Sequence, residues 1–352
     1  MLKLKNLFYS FLSLLFVAGI LLFPNECISS AKDGLNMSLY LILPSLFPFA
    51  VISSYISSKL ILPKSISKPI SKLLNLSENA ILPFVLGLIS GYPIGAVLTS
   101  SAVKNNRIST SEGEHLLPFC NACGPLFLIG VAGGGMMGGY SYGYFLLLVQ
   151  TLSIFLTALI FRKSAPYIIK AEHNDTKNSN YGFVSAMDSS ISSILKVFGA
   201  VIFFSVVCTQ IKLTKVFENL LPIPALGYGL VEVTNGLNRL ALSEIPVRLK
   251  LSTCSALCGF SGICIYIQVQ SAVKETKIKL KKYLAYKSVI AVISFFLSFI
   301  LFPLFPHLTP TFHTPTPPLS LPFEVGSYLF ILLFLIAWNT FKKFKVSFFD
   351  KR

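Results

Sequence analysis

The sequence predicts an all-α, polytopic membrane protein: about eight transmembrane helices plus two re-entrant hairpins, arranged as an inverted repeat. Three observations predict it. Of 352 residues, 53% are hydrophobic and only 12% charged, with a mean hydropathy of +0.71, whereas a soluble domain carries about 25% charged residues. Apolar runs of about 20 residues, enough to cross a bilayer, recur along the whole chain. The basic residues behind the net charge of +16 gather in the loops between those runs. That placement orients a membrane protein, and no folded soluble domain is left over to bind nucleic acid.

The full spans are read at 7–23, 37–58, 81–102, 140–161, 187–210, 223–241, 284–305 and 325–341. The first follows Lys3 and Lys5 and precedes PNEC, which has no small-residue cleavage site, so it reads as an uncleaved anchor. Two further apolar stretches, 115–137 and 251–270, are dense in Gly, Ser, Cys and Asn. Such broken segments read as hairpins that enter the membrane and return. With the N-terminus in the cytoplasm, the inner segments then hold 22 Lys and Arg and the outer segments 5, which supports this orientation and puts both termini inside. Lysines recur at helical spacing in 59–79 (Lys64, Lys68, Lys72) and 273–283 (Lys274, Lys277, Lys281). They read either as surface helices on an anionic leaflet or as solvated basic loops. Residues 162–184 form a polar linker and 302–323 a Pro-rich outer loop.

The two halves echo one another. GLISGYPIGA (87–96) is followed by a short polar loop and FCNACGPLFLIGV (119–131). GLVEVTNGLN (229–238) is followed by another and TCSALCGFSGICI (253–265). The loop charges place the halves in opposite orientations, the plan of many secondary transporters. The chain therefore divides into an anchor (1–34), a first repeat (35–161), a cytoplasmic linker (162–186), a second repeat (187–305), and a last loop, span and basic tail (306–352).

The candidate site follows from the breaks. Pro93 supplies no helical N–H and disfavours helix at Tyr92, so Ser90, Gly91, Tyr92 and Pro93 unwind the first break, as a ligand site or as a packed kink. Glu232, Thr234 and Asn235 form the matching break. A carboxylate at bilayer depth costs about 2.5–3.5 kcal/mol on insertion scales, so Glu232 titrates, meets substrate, or pairs with Lys196 or Arg239. Asn121, Gly124 and Pro125 lie in the first hairpin, and Ser255, Gly259 and Ser261 in the second. Helix N-termini at hairpin tips present N–H groups and partial positive charge. With Lys196 as a central cation, they suit a small organic anion, although small residues also serve close helix packing.

Other chemistries find no support. Nucleotide-binding, hydrolase and zinc-protease motifs are absent from the sequence, so the expectation is no enzyme and no cofactor. His115, Cys120 and Cys123 have metal-ligand character but no evident fourth partner, and no metal is expected. Seven cysteines, six of them in membrane segments, are not a disulfide framework. The lipid bilayer is the certain partner, and a homo-oligomer stays open.

SGYPIGA, FCNACGPLFLIGVAGGGMMGG and EVTNGL together resemble the sporulation integral membrane protein family called YlbJ, or SpoVV, over residues 35 to 305. The resemblance implies a nucleoside-recognition "Gate" domain in each half, related to concentrative nucleoside transporters. It also implies passage of dipicolinic acid from the mother cell across the outer forespore membrane. The residues themselves fit such a planar dicarboxylate, with the two hairpin tips and Lys196 expected to hold its carboxylates and Tyr92 to stack on its ring. The alternatives are a nucleoside-type carrier and a non-transporting scaffold for spore assembly.

Overall fold

The computed structural model describes residues 2–60, 62–164 and 182–308, and every regular element among them is helical. The expected last span at 325–341, almost all of the Pro-rich loop, most of the linker and the basic tail lie outside the described residues. In chain order the helices are α1 (Leu2–Leu22), α2 (Pro24–Met37), α3 (Leu43–Lys59), α4 (Lys64–Leu74), α5 (Glu78–Ser90), α6 (Ile94–Lys104), α7 (Thr110–Cys120) and α8 (Tyr140–Ile160). Then come α9 (Phe183–Leu213), α10 (Val216–Leu220), α11 (Pro224–Val231), α12 (Val233–Ala241), α13 (Val247–Phe260), α14 (Gly262–Val273) and α15 (Tyr283–Leu301). A π-turn at Ser38–Ile42 joins α2 to α3, and a π-helical segment, Phe127–Met136, lies between α7 and α8.

Five helices or continuous helix pairs are long and apolar enough to cross a membrane: Pro24–Lys59, Tyr140–Ile160, Phe183–Leu213, Val247–Val273 and Tyr283–Leu304. Three of these agree with the expected spans at 140–161, 187–210 and 284–305. Pro24–Lys59 corrects the expected outer loop at 24–36, which is helical and continues into the span. At about 1.5 Å per residue its 36 residues far exceed a bilayer core of about 30 Å, so polar Glu26, Lys32 and Asp33 ride on the end that projects beyond it. This helix runs antiparallel to α9. Ser30 Oγ donates to Ser205 O (2.8 Å), and Tyr55 packs edge-on against Phe183. Helix α1 lies on the same surface, with Phe16 against Phe203 at 5.0 Å.

The main correction concerns which segments turn back. The expected spans 81–102 and 223–241 are tight helical hairpins. Asn79 at the start of α5 donates to Arg107 O just beyond α6 (3.1 Å), so the chain returns to the end from which it entered. A Cβ on Gly87 would lie 3.0 Å from Gly95 Cα, and one on Gly95 would lie 2.1 Å from Cys120 O. In the second hairpin a Cβ on Gly236 would lie 2.2 Å from Gly229 Cα. Only glycine lets the two arms approach this closely.

The expected hairpins 115–137 and 251–270 instead run from one end of the helix bundle to the other. Helix α7 starts beside α5, where Glu112 accepts from Ser77 N (2.6 Å) and Ser77 Oγ (3.0 Å). The π-helical segment ends at Met136, and the next residue, Met137, lines a small pocket with Ala241, Val247 and Lys250 at the opposite end. Helix α13 starts at that opposite end, where Arg248 Nε donates to Phe299 O (2.9 Å). Beyond α14, Glu275 pairs with Lys104, and Lys279 N donates to Glu114 Oε1 (2.9 Å). Lys104 holds the exposed Glu275 carboxyl below its ordinary value. Loops 59–79, 103–114 and 273–282 thus share one end, and 137–142, 242–250 and 299–305 share the other.

Helix α4 is the surface helix expected from its lysines. Lys64, Lys68 and Lys72 are exposed, Ser67 and Leu74 are buried, and its axis bends 89° from α5. The second lysine cluster is not helical: residues 277–280 have no regular structure.

The hairpin closure yields a test. Gly95→Ala forces its new methyl against a backbone carbonyl, and overpacking of this kind costs about 1–3 kcal/mol or more. Gly199 has nothing within 4 Å of a built Cβ. Thermal unfolding of the purified protein in detergent is expected to show a lowered midpoint for Gly95→Ala and an unchanged or raised one for Gly199→Ala. Equal responses would contradict the close hairpin.

Candidate substrate site

Four breaks interrupt helices inside the bundle, and each is set by its sequence. Gly91 takes φ +80°, a Tyr92–Pro93 cis peptide follows, and Pro93 opens α6. Asn121 ends α7, and Pro125 starts the next helical turn, where its missing N–H costs nothing. Glu232 is extended (φ −144°, ψ 118°) between α11 and α12. Ser261 (φ 78°) and Gly262 (φ 77°) separate α13 from α14. Positive φ is costly for serine, and Ser261 N still finds Leu257 O at 2.8 Å.

Each hairpin tip docks on a break. Tyr92 N donates to Ala122 O (2.7 Å), and a Cβ on Gly91 would lie 2.6 Å from Gly124 N. The second tip sits on the second break, where a Cβ on Gly262 would lie 2.9 Å from Gly229 O. The two breaks then meet. Cys123 Sγ reaches Tyr92 Oη at 2.9 Å and Cys258 O at 3.8 Å, and Tyr92, Cys123, Val233 and Cys258 share one apolar cluster. Ser90, Gly91, Tyr92, Pro93, Asn121, Gly124 and Pro125 thus lie at the first tip and its break, Glu232, Thr234 and Ser261 at the second, and the Tyr92–Cys123–Cys258 contacts link the two, while Gly259 packs on α15 at Ala291 and Ser294.

Glu232 is buried and accepts four hydrogen bonds: from Thr234 N (3.1 Å), Thr234 Oγ1 (2.5 Å), Asn235 N (2.8 Å) and Asn235 Nδ2 (2.8 Å). It caps α12 and pairs with neither Lys196 nor Arg239. Arg239 lies over the Tyr228 ring at 3.8 Å. Asn235 Nδ2 also donates to Ser205 Oγ on α9 (3.2 Å). Ser90 Oγ bonds Ser53 Oγ (2.5 Å) and ties the first hairpin to α3 in the same way. Ser255 is buried in α13, with its hydroxyl unpartnered.

Lys196 does not join this group. It is exposed on the outer face of α9 beside Asp188 and Leu195. The buried cation is Lys287, fully enclosed, whose Nζ donates to Asn121 O at 2.8 Å. It was legible as a charge within a span, but its place one turn from the start of 284–305 resembles a side chain that snorkels to the surface. Asn121 is equally buried. Its Nδ2 donates to Tyr283 Oη (2.8 Å), and its Oδ1 has no partner.

The cysteines of FCNACGPLF take different partners. Cys120 faces Thr99 Oγ1 (3.1 Å) and Gly95 O (3.6 Å), whereas Cys123 faces Tyr92 and Cys258. His115 packs edge-on against Phe119 and Tyr286.

A polar groove flanks the centre at each end. One, of about 300 Å³, lies among α3, α6 and α9 and is lined by Ser54, Ser57, Ser100, Lys104 and Arg107. The other, of about 960 Å³, lies among α2, α9 and α12 and is lined by Asp33, Ser205, Lys212, Asn235 and Arg239.

The cap on α12 makes a prediction. Glu232→Ala leaves buried N–H groups of Thr234 and Asn235 unpaid, each costing about 1–3 kcal/mol, and is expected to lower the thermal midpoint clearly. Lys196→Ala, on an exposed face, is expected to stay within about 0.5 kcal/mol of the parent protein. The reverse order in detergent melts would refute the cap.

No family model matches the chain, and no solved structure does. Among curated proteins it is 27% identical over 330 residues to the sporulation integral membrane protein YlbJ of Bacillus subtilis (strain 168), across 80% of this chain and 79% of that one.

Proposed function

We propose, from its similarity to the sporulation integral membrane protein YlbJ, that this chain carries a small organic anion across the membrane by alternating access. In sporulation that anion is dipicolinate, moved from the mother cell across the outer forespore membrane. The observation that carries the reading is the meeting of both hairpin tips and both breaks at one buried centre with a polar groove on either side. Three of the breaks, at Pro93, Pro125 and Ser261, open helices whose N-terminal ends carry the partial positive charge of the helix dipole. At the fourth, Glu232 already fills that role.

The packing supports an inverted repeat. Helix α6 packs on α14 as α12 packs on the π-helical segment, and α7 packs on α15 as α13 packs on α8. In this reading the two hairpins are the moving gates, and each tip shields the centre from one groove. The end bearing 59–79, 103–114 and 273–282 is cytoplasmic. Loops 103–114 and 242–250 hold two basic residues each, so their exchange of ends preserves the original charge bias. A scaffold gains nothing from burying Lys287 and the unpartnered Asn121 Oδ1 together, because buried polar groups are costly unless fully paired.

The test is uptake into proteoliposomes. Dipicolinate is expected to enter in a protein-dependent way, and uridine is not. In sporulating cells Asn121→Ala, at normal protein level, is expected to lower spore dipicolinate several-fold. Uridine uptake without dipicolinate uptake would replace this reading with a nucleoside carrier, and uptake of neither would favour the scaffold.

A further inference from the structure

We infer that Lys287 is the cation that receives the carboxylate of the transported anion, at the break where Asn121 lies. The inference rests on the proposed transport function and assigns its binding charge. Lys287 is 0% exposed. Its ammonium has three N–H donors, and its one hydrogen bond goes to Asn121 O. Among the described residues the only ion pair joins Lys104 to Glu275, so no carboxylate balances Lys287.

The acceptor beside it is also unsatisfied: Asn121 Oδ1 is buried without a partner. A cation with spare donors and an amide with a spare acceptor are thus enclosed together at the break where the first hairpin tip docks. Structural roles for buried charge normally pair it, because the enclosed ion is otherwise expensive. A carboxylate takes up the spare ammonium donors, and charge-assisted hydrogen bonds of this kind are the strong ones. Movement of the α5–α6 hairpin, whose Tyr92 N holds Ala122 O, would open this pair to the groove lined by Lys104 and Arg107.

The test is equilibrium binding of radiolabelled pyridine-2,6-dicarboxylate to the purified full chain in detergent, with Lys287→Met and Lys287→Gln beside the parent protein. The parent protein is expected to bind the dicarboxylate. Lys287→Gln keeps a donor for Asn121 O but removes the charge, and both variants are expected to bind at least about tenfold more weakly. Each variant is checked for a single sharp size-exclusion peak, and if Lys287→Met fails that check, Lys287→Gln alone decides. Binding by folded Lys287→Gln equal to the parent protein overturns the assignment and leaves the transport reading standing. No dicarboxylate binding by the parent protein overturns both.

Discussion

A helix broken inside a bilayer must find partners for the backbone groups that the break releases, and this chain breaks four. Water is absent there, so each unpaired group carries the full desolvation cost. The hydrogen bond from Tyr92 N to Ala122 O answers that demand for the first hairpin and its broken neighbour at once. Lys287 bonds the carbonyl of Asn121, and Glu232 caps the N–H groups that open α12. The docking of tips on breaks therefore does more than pack helices. It is the condition under which irregular backbone persists at this depth, and it fixes where the polar side chains meet.

Glycine makes that docking geometrically possible. The hairpin arms touch at Gly87 and Gly95 in one half and at Gly229 and Gly236 in the other. Cys120 O sits against both glycines of the first pair, so closing the hairpin and seating it on α7 are one event. Asn121 joins the break to Tyr283 and Lys287 on α15, and Asn235 joins the second tip to Ser205 on α9.

Much of this was legible in the sequence. Pro93, Pro125, Glu232 and the Ser261–Gly262 step mark all four breaks, because proline, glycine and a buried carboxylate each defeat a regular membrane helix. Which segments reverse was not legible. Residues 81–102 are as long and apolar as a span, and hydropathy is blind to a turn at the midpoint. Loop charge is blind as well, since 103–114 and 242–250 carry equal numbers of basic residues. One signal was available: glycines eight residues apart (Gly87, Gly95) and seven apart (Gly229, Gly236) straddle their breaks, as close-packed hairpin arms require. Lys196 looked central because it lies mid-span, but α9 turns it outward. Lys287, a charge near the start of its span, reaches Asn121 O at the first break.

Labelling of single introduced cysteines with a membrane-impermeant thiol reagent tests the tip-on-break architecture most directly, because the seven native cysteines are buried. Asn105→Cys, Glu275→Cys and Glu244→Cys each place a thiol on an exposed residue. The account predicts that Asn105→Cys and Glu275→Cys react from the same side of the membrane and Glu244→Cys from the other. Reaction of Asn105→Cys from the side opposite Glu275→Cys, with Glu244→Cys joining Glu275→Cys, would contradict it.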